Sequence, residues 1–373
     1  MAPALPPGPW TRWLAASSPG QAPRPWQLAS MAAAPPSALV DHLPLIEDAL
    51  RAALAGGPPE LSRVARYVMG WEDADGNSLR TGGNSLRTGG KRIRPALCLF
   101  GATLFGAPVE AALPGAVAVE LIHNFSLVHD EVQDHDAERH HRPTVWALMG
   151  EGQAINAGDY LITRATRALL EGDGPEHRRL AALRILNEAM ARMIAGQWAD
   201  IDFEGRSDVT PAEYLEMVRG KTGALLGAPL AIGATLAGAP PEQAGALQAW
   251  GEAVGLAFQV QDDYLGIWGD PNLTGKSNTS DIARRKKTYP VVHGMAEGAA
   301  NVIRYAYALP ELSAADIDRV VHALEAAGSR EATQVEGRHL VAAADRLLES
   351  FELAAPAREQ LRAIGAYLLE RDR

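Results

Sequence analysis

From Ala38 to the C-terminus the sequence contains no run of alternating β-branched residues long enough to build a sheet. Apolar residues recur instead at three- and four-residue intervals, as in LIEDALRAAL at 45–54 and LAALRILNEAMARMIAGQ at 180–197, where Ala, Leu, Glu and Arg dominate. Helix starts agree with that period. Thr210-Pro211-Ala212-Glu213 has capping-box spacing with proline at the first helical position, and Ser313 with Asp316 repeats the logic. The reading predicts an all-α single domain of ten or more helices, with irregular stretches near 71–90, 135–143 and 268–288.

Residues 222–241, TGALLGAPLAIGATLAGAPP, carry no charge and raise the question of a membrane span. Four glycines, three prolines and little Leu, Ile or Phe predict a buried core helix with a terminal loop instead, and no membrane span. A formal charge of −10 argues against nucleic acid as a partner, so an anionic ligand must meet a local basic cluster. Lys91, Arg92 and Arg94 form one, and Arg284, Arg285, Lys286 and Lys287 another. Cys98 is the sole cysteine, which excludes a disulfide framework and a cysteine zinc site and suits a reducing, cytoplasmic location.

Residues 1–36 are rich in Pro and Ala, with no acidic residue before Asp41, and are read as a disordered extension preceding one domain over 37–373. An over-extended start, with Met31 as the alternative first residue, fits equally; a targeting segment or one that docks to a partner is the competing reading. The phrase NSLRTGG occurs twice in succession over 77–90. Only its second glycine pair, Gly89-Gly90, leads into Lys91 and Arg92, so only that copy brings flexible backbone and cations to one anion.

Two stretches carry chemistry. In LIHNFSLVHDEVQDHD, 121–136, a helix places Asp130 and Asp134 one turn apart with Glu131 beside them, a spacing suited to hard cations. In FQVQDDYLGIWGD, 258–270, Gln259, Asp262 and Asp263 share a face. Each cluster ends an apolar helix, and two such helices facing each other would make a metal cage open at one end. Beyond the second, Lys276 and the 284–287 run lie on a Gly/Pro/Asn-rich loop. Carboxylates, hydrated Mg²⁺ and basic side chains together suit a di- or triphosphate.

GGKRIRP, LIHNFSLVHDEVQD, GKTGALL, FQVQDD and GDPNLTGKSNTSD stand in an order that resembles the trans-isoprenyl diphosphate synthases, over about Leu45 to the C-terminus. The resemblance implies an all-α isoprenoid synthase fold, a single-domain helical bundle around a deep central cavity, working as a homodimer. It implies three Mg²⁺ per active site, replaceable by Mn²⁺, and isopentenyl and allylic diphosphates as substrates. Residue by residue, Asp130 and Asp134 match the first metal motif; Asp262 matches the leading aspartate of the second, with Asp263 supporting. Gly89, Gly90, Lys91, Arg94 and His123 match the isopentenyl diphosphate pocket. Arg139, Lys221 and Lys276 match the basic residues on the allylic diphosphate, and Thr222 and Gln259 the polar groups beside the developing cation.

The implied chemistry is ionisation of the allylic diphosphate, attack by the double bond of isopentenyl diphosphate on the carbocation, and loss of a proton. Three positions depart from the family pattern: Glu131 replaces an aspartate, His140 an arginine, and Gly266 the last aspartate of the second motif. Phe125, five residues before Asp130, followed by small Ser126, resembles the chain-length floor of the geranylgeranyl-producing type, so a C20 product is expected, with farnesyl diphosphate the nearest alternative. Rival readings are a His/Asp transition-metal hydrolase, drawn from five histidines between His123 and His141, a class I terpene cyclase, and a non-catalytic partner subunit.

Overall fold

Thr210 and Ser313 open their helices as the spacing predicts. Thr210 Oγ1 accepts from the Glu213 amide at 3.2 Å while the Glu213 carboxylate accepts from the Thr210 amide at 2.9 Å, and Ser313 and Asp316 repeat the exchange. The computed structural model describes residues 34–79, 90–269 and 280–370. These residues lie within one unit, Ala33–Arg373; the doubled phrase from residue 80 through Gly89, the loop carrying Lys276, and residues 1–33 and 371–373 fall outside the described set.

The helices that matter to the site are α1 (Leu43–Leu54), α2 (Pro59–Val68), α3 (Ile93–Thr103), α4 (Leu113–Gln133), α5 (Glu151–Glu171), α6 (Glu176–Gly205), α7 (Pro211–Val218), α8 (Ala224–Ala237), α9 (Pro241–Trp268) and α10 (Tyr289–Ala296). The uncharged stretch is α8, the central helix: twelve of its fourteen residues are buried, against α3, α6 and α9. Its composition opposes helix formation, since Pro229 costs about 3 kcal/mol and Gly227 and Gly233 about 1 kcal/mol each. Burying Leu225, Leu226, Leu230, Ile232 and Leu236 returns roughly 2 kcal/mol apiece, so packing decides the outcome. Small residues make that packing close: a Cβ on Gly101 of α3 would strike the Leu230 carbonyl of α8.

Among the described residues one helix, Val109–Gln133, is long and apolar enough to cross a membrane, with a mean hydropathy of 1.4. Two-thirds of its most apolar 18-residue stretch is buried in the protein, as the core helix that delivers Asp130 to its C-terminal end. The expectation of no sheet needs one small correction. Glu138–Arg139 (β1) and Arg142–Pro143 (β2) form a two-stranded ribbon closed by His140 and His141, both at positive φ (52° and 59°). Strands of two residues leave no alternation to detect, and a double positive-φ turn matches the twist of a tight hairpin.

Candidate active site

The face of α4 formed by His123, Ser126, Leu127 and Asp130 is half-exposed, whereas Asn124, Phe125 and Val128 between them are buried. Asp134 follows one turn after Asp130, its amide bonded to the Asp130 carbonyl at 2.8 Å. Burial and the neighbouring Asp130 charge hold the Asp134 carboxyl above its ordinary range. Asp130 Oδ1 is buried and accepts no hydrogen bond. Lys221 Nζ stands 3.6 Å from it, and Arg139 Nη2 is 3.8 Å from Oδ2. Neither cation is committed to Asp130: Lys221 bonds Asp200 Oδ2 at 2.5 Å, and Arg139 Nε bonds Glu131 Oε1 at 2.6 Å.

Two neighbouring carboxylates, one raised by burial and by the other's charge, and a buried oxygen with no hydrogen-bond donor are a donor set that fits a hard cation. Among the described residues no three carboxylate, imidazole or thiol side chains converge to hold an ion by themselves. The Glu131 departure has a local reason: its side chain is buried, folded back onto Arg139, and raised by burial.

Opposite, α7 runs into a π-helical turn, Arg219–Gly223, before α8 begins. Such turns widen a helix and re-aim side chains. This one lies so close to α6 that a Cβ on Gly220 would sit 2.6 Å from the Arg192 carbonyl and one on Gly196 would strike the Lys221 amide. The turn presents Lys221 and Thr222. Thr222 Oγ1 donates to Gln259 Oε1 at 3.2 Å, and Gln259 Nε2 donates to Asp263 Oδ1 at 3.1 Å. Asp263 Oδ2 accepts from Tyr214 Oη and from the Tyr289 amide at 3.0 Å. Asp263 is therefore fully buried with both oxygens engaged, its carboxyl pushed up to about 7, mainly by desolvation. Its support is mechanical, through hydrogen bonds; half-exposed Asp262 is the aspartate of the pair left on the open face.

On the third side, Gly90 takes φ 81° and leads into exposed Lys91 and half-buried Arg94, whose Nη1 lies 3.2 Å from His123 Nε2. Gly89 and Lys276 lie outside the described residues. The second basic run divides its labour. Arg284 pairs with Asp136 at 2.9 Å, Arg285 turns back onto the Leu309 and Pro310 carbonyls, and Lys287 lies 5.1 Å over the Tyr307 ring. The charge of Lys286 favours the ionised form of Asp134.

Two residues escaped sequence reasoning. Asp200 holds Lys221, a link visible only once α6 crosses the π-helical turn. Asp281 lies against Gly266: a Cβ there would fall on Asp281 Oδ2, so a carboxylate from another segment fills the space that an aspartate at 266 would need. Gly266→Asp is accordingly expected to lower kcat a few-fold, through carboxylate–carboxylate repulsion with half-exposed Asp281, whose side chain must swing aside. Steady-state kinetics check this; a rise in activity would mean that the glycine is a defect.

His140 does not have its place taken by Arg142. Arg142 turns to the Glu72 carbonyl at 2.8 Å and stacks 4.2 Å over the Tyr67 ring. The five clustered histidines diverge as well: His123 faces Arg94, His129 packs on Phe125 and on Gly158, His135 lies edge-on to Trp146, and His140 and His141 make the hairpin turn. They make no transition-metal centre.

The polyprenyl synthetase family profile matches residues 80–324. Among curated proteins, the chain is 40% identical over 333 residues to a (2E,6E)-farnesyl diphosphate synthase of Mycobacterium tuberculosis, covering 88% of this chain and 90% of that one. It is likewise 40% identical over 277 residues to a geranylgeranyl diphosphate synthase of the same organism, covering 74% and 77%. Among solved structures, a polyprenyl synthetase from Streptomyces coelicolor superposes with a TM-score of 0.81 at 38% identity, covering 89% of this chain and 98% of that one.

Proposed function

This chain belongs to the polyprenyl synthetase family and is a prenyltransferase of all-α isoprenoid synthase fold, and from that premise we propose that it condenses isopentenyl diphosphate with an allylic diphosphate to give geranylgeranyl diphosphate. The observation that carries the reading is Asp130: a buried carboxylate oxygen with no hydrogen bond, one turn from Asp134, flanked by Lys221 and Arg139.

Asp130, Asp134 and Asp262 are the residues that would hold Mg²⁺, with Asp263 as scaffold. When bound, the metal supplies charge neutralisation to the departing diphosphate. Lys221 and Arg139 turn from Asp200 and Glu131 to the diphosphate oxygens, so the charge that develops on the leaving group meets cations already in place. Lys276 adds a third cation in this assignment. Thr222 and Gln259 present oxygen dipoles to the allylic cation, their orientation fixed by the chain of hydrogen bonds to Asp263. Gly90, Lys91, Arg94 and His123 bind the isopentenyl diphosphate headgroup, and the apolar walls around α4 exclude the water that would quench the cation.

Relatives of nearly equal similarity carry farnesyl and geranylgeranyl names, so chain length rests on α4 itself. Ser126 shares the Asp130 face and is small; Phe125 is buried beside it, its ring edge-on at 4.9 Å to His129, which in turn packs on Gly158 of α5. A C20 chain passes Ser126 and stops where Phe125 closes the gap between α4 and α5. Phe125→Ala is expected to shift the main product from C20 to C25 or longer, with roughly 3–5 kcal/mol of destabilisation from the cavity. Sizing the dephosphorylated alcohols checks this, and an unchanged product length removes Phe125 as the floor.

Ile194, Trp198 and Ile201 form an exposed stripe on α6, with Trp198 79% exposed. An apolar stripe of this kind on a helix calls for a partner, and a second copy of the chain is the occupant assigned here. Sedimentation showing a monomer at micromolar concentration would remove that assignment. The buried sole cysteine, Cys98, suits the reducing cytosol in which such an enzyme is placed.

The deciding experiment offers purified protein labelled isopentenyl diphosphate with dimethylallyl, geranyl or farnesyl diphosphate, Mg²⁺ or Mn²⁺, and an EDTA control. Metal-dependent formation of a C20 alcohol is the expected result. A C15 product reassigns the chain length alone. No elongation from any starter would make the non-catalytic partner subunit the leading reading.

A further inference from the structure

Of the three basic residues after Gly90, one does not face the site. Arg92 is 3% exposed and sits at the N-cap of α3 in the left-handed conformation, φ 48°, ψ 36°, which non-glycine residues seldom adopt. Its guanidinium is held from three elements. Nε donates to Glu47 Oε1 of α1 at 2.6 Å, Nη1 to Glu120 Oε1 of α4 at 2.8 Å, and Nη2 to the Met69 carbonyl after α2 at 2.9 Å. The acceptors are braced in turn: Glu47 also takes the Trp71 indole at 2.6 Å, and Asn124 Nδ2 lies 3.3 Å from Glu120 Oε1.

We propose that Arg92 is the positioning residue of the isopentenyl diphosphate site, a buried fork that sets the backbone turn from which Lys91 and Arg94 face the headgroup. The proposal rests on the reading of that site given above. A buried ion pair is weak evidence for stability, because desolvation offsets much of its attraction; its best-attested use is to fix one arrangement among several. Here the arrangement is specific. A planar guanidinium with five donors in a fork satisfies three acceptors at fixed angles, which a lysine ammonium cannot reproduce. Engaging Glu47, Glu120 and Met69 draws the residue 92 side chain inward and keeps its backbone at positive φ. Exposed Lys91 and half-buried Arg94 on either side are thereby directed elsewhere, Arg94 towards His123. Glu120 precedes His123 by three residues on α4, so the same helix anchors the fork and supplies another group of the pocket.

The test compares Arg92→Lys and Glu47→Gln with Lys91→Ala, measuring KM for each substrate, kcat, and isopentenyl diphosphate binding by calorimetry. Glu47 is the milder probe, since its side chain is 30% exposed and its loss leaves Glu120 and Met69 on Arg92. Both positioning variants are expected to raise KM and Kd for isopentenyl diphosphate about tenfold, with kcat and the allylic KM within about twofold, because small misplacements of binding groups are expensive. Equal loss in kcat and in both KM values overturns the proposal in favour of a general structural role. Unchanged isopentenyl diphosphate affinity in Arg92→Lys and Glu47→Gln, with a clear loss in Lys91→Ala, overturns it and leaves the site assignment standing. A silent Lys91→Ala overturns the site assignment itself.

Discussion

Asp130→Ala is expected to lower kcat/KM about a thousandfold or more while leaving the thermal midpoint unchanged or slightly raised. The kinetic half follows from removing the carboxylate that would hold the leaving-group metal: neutralising a departing diphosphate is worth several kcal/mol, and about 4 kcal/mol is a thousandfold. The stability half follows from the geometry. Asp130 Oδ1 is buried without a hydrogen bond, its charge presses on Asp134, and Lys221 keeps Asp200 when Asp130 is gone. Deleting a carboxylate that repels its neighbour offsets the loss of its long ion pairs to Lys221 and Arg139, both of which keep shorter partners. A structural aspartate would show the opposite pattern, a lower midpoint with activity falling only in proportion to unfolding. Measuring kcat/KM across a Mg²⁺ titration beside a thermal melt separates the two, and near-normal turnover at saturating Mg²⁺ would falsify the metal assignment.

Sequence reasoning reached whatever is local or periodic. The capping boxes at Thr210 and Ser313, the uncharged core helix, and the pairing of Asp130 with Asp134 each depend on residues within a few positions of one another. It failed where chemistry depends on which helix crosses which. GKTGALL shows nothing in sequence of the π-helical turn at Arg219–Gly223 or of the close approach of Gly196 and Gly220 that seats it against α6. Lys91, Arg92 and Arg94 read as one cluster until the fold buries Arg92 among Glu47, Glu120 and Met69. Gly266 reads as a lost aspartate until Asp281, fifteen residues on, is found in its space. The Asp-Asp pair at 262 and 263 is the sharpest case, because a rotation of about 100° between adjacent residues of α9 leaves Asp262 half-exposed and Asp263 buried.

That division yields the second large effect. Asp263→Ala is expected to destabilise the fold by roughly 3–5 kcal/mol, because Tyr214 Oη, the Tyr289 amide and Gln259 Nε2 all lose their acceptor, and a buried polar group left unsatisfied costs about 1–3 kcal/mol. At roughly 2–4 °C per kcal/mol for a large domain, the thermal midpoint should fall by about 10 °C. Activity should fall as well, since Gln259 would no longer hold Thr222 in register. Asp263→Asn should be milder, keeping its oxygen on Tyr214 and the Tyr289 amide while its NH2 faces Gln259, whose amide can flip to accept and in turn donate to the Thr222 hydroxyl. Asp262→Ala provides the contrast: a midpoint that falls clearly less than in Asp263→Ala, because Asp262 is half-exposed where Asp263 is fully buried, together with a large loss of kcat. Thermal melts and kinetics on the three variants decide the matter. Equal destabilisation by Asp262→Ala and Asp263→Ala would mean that both aspartates serve the fold, and the second metal motif would lose its ligand.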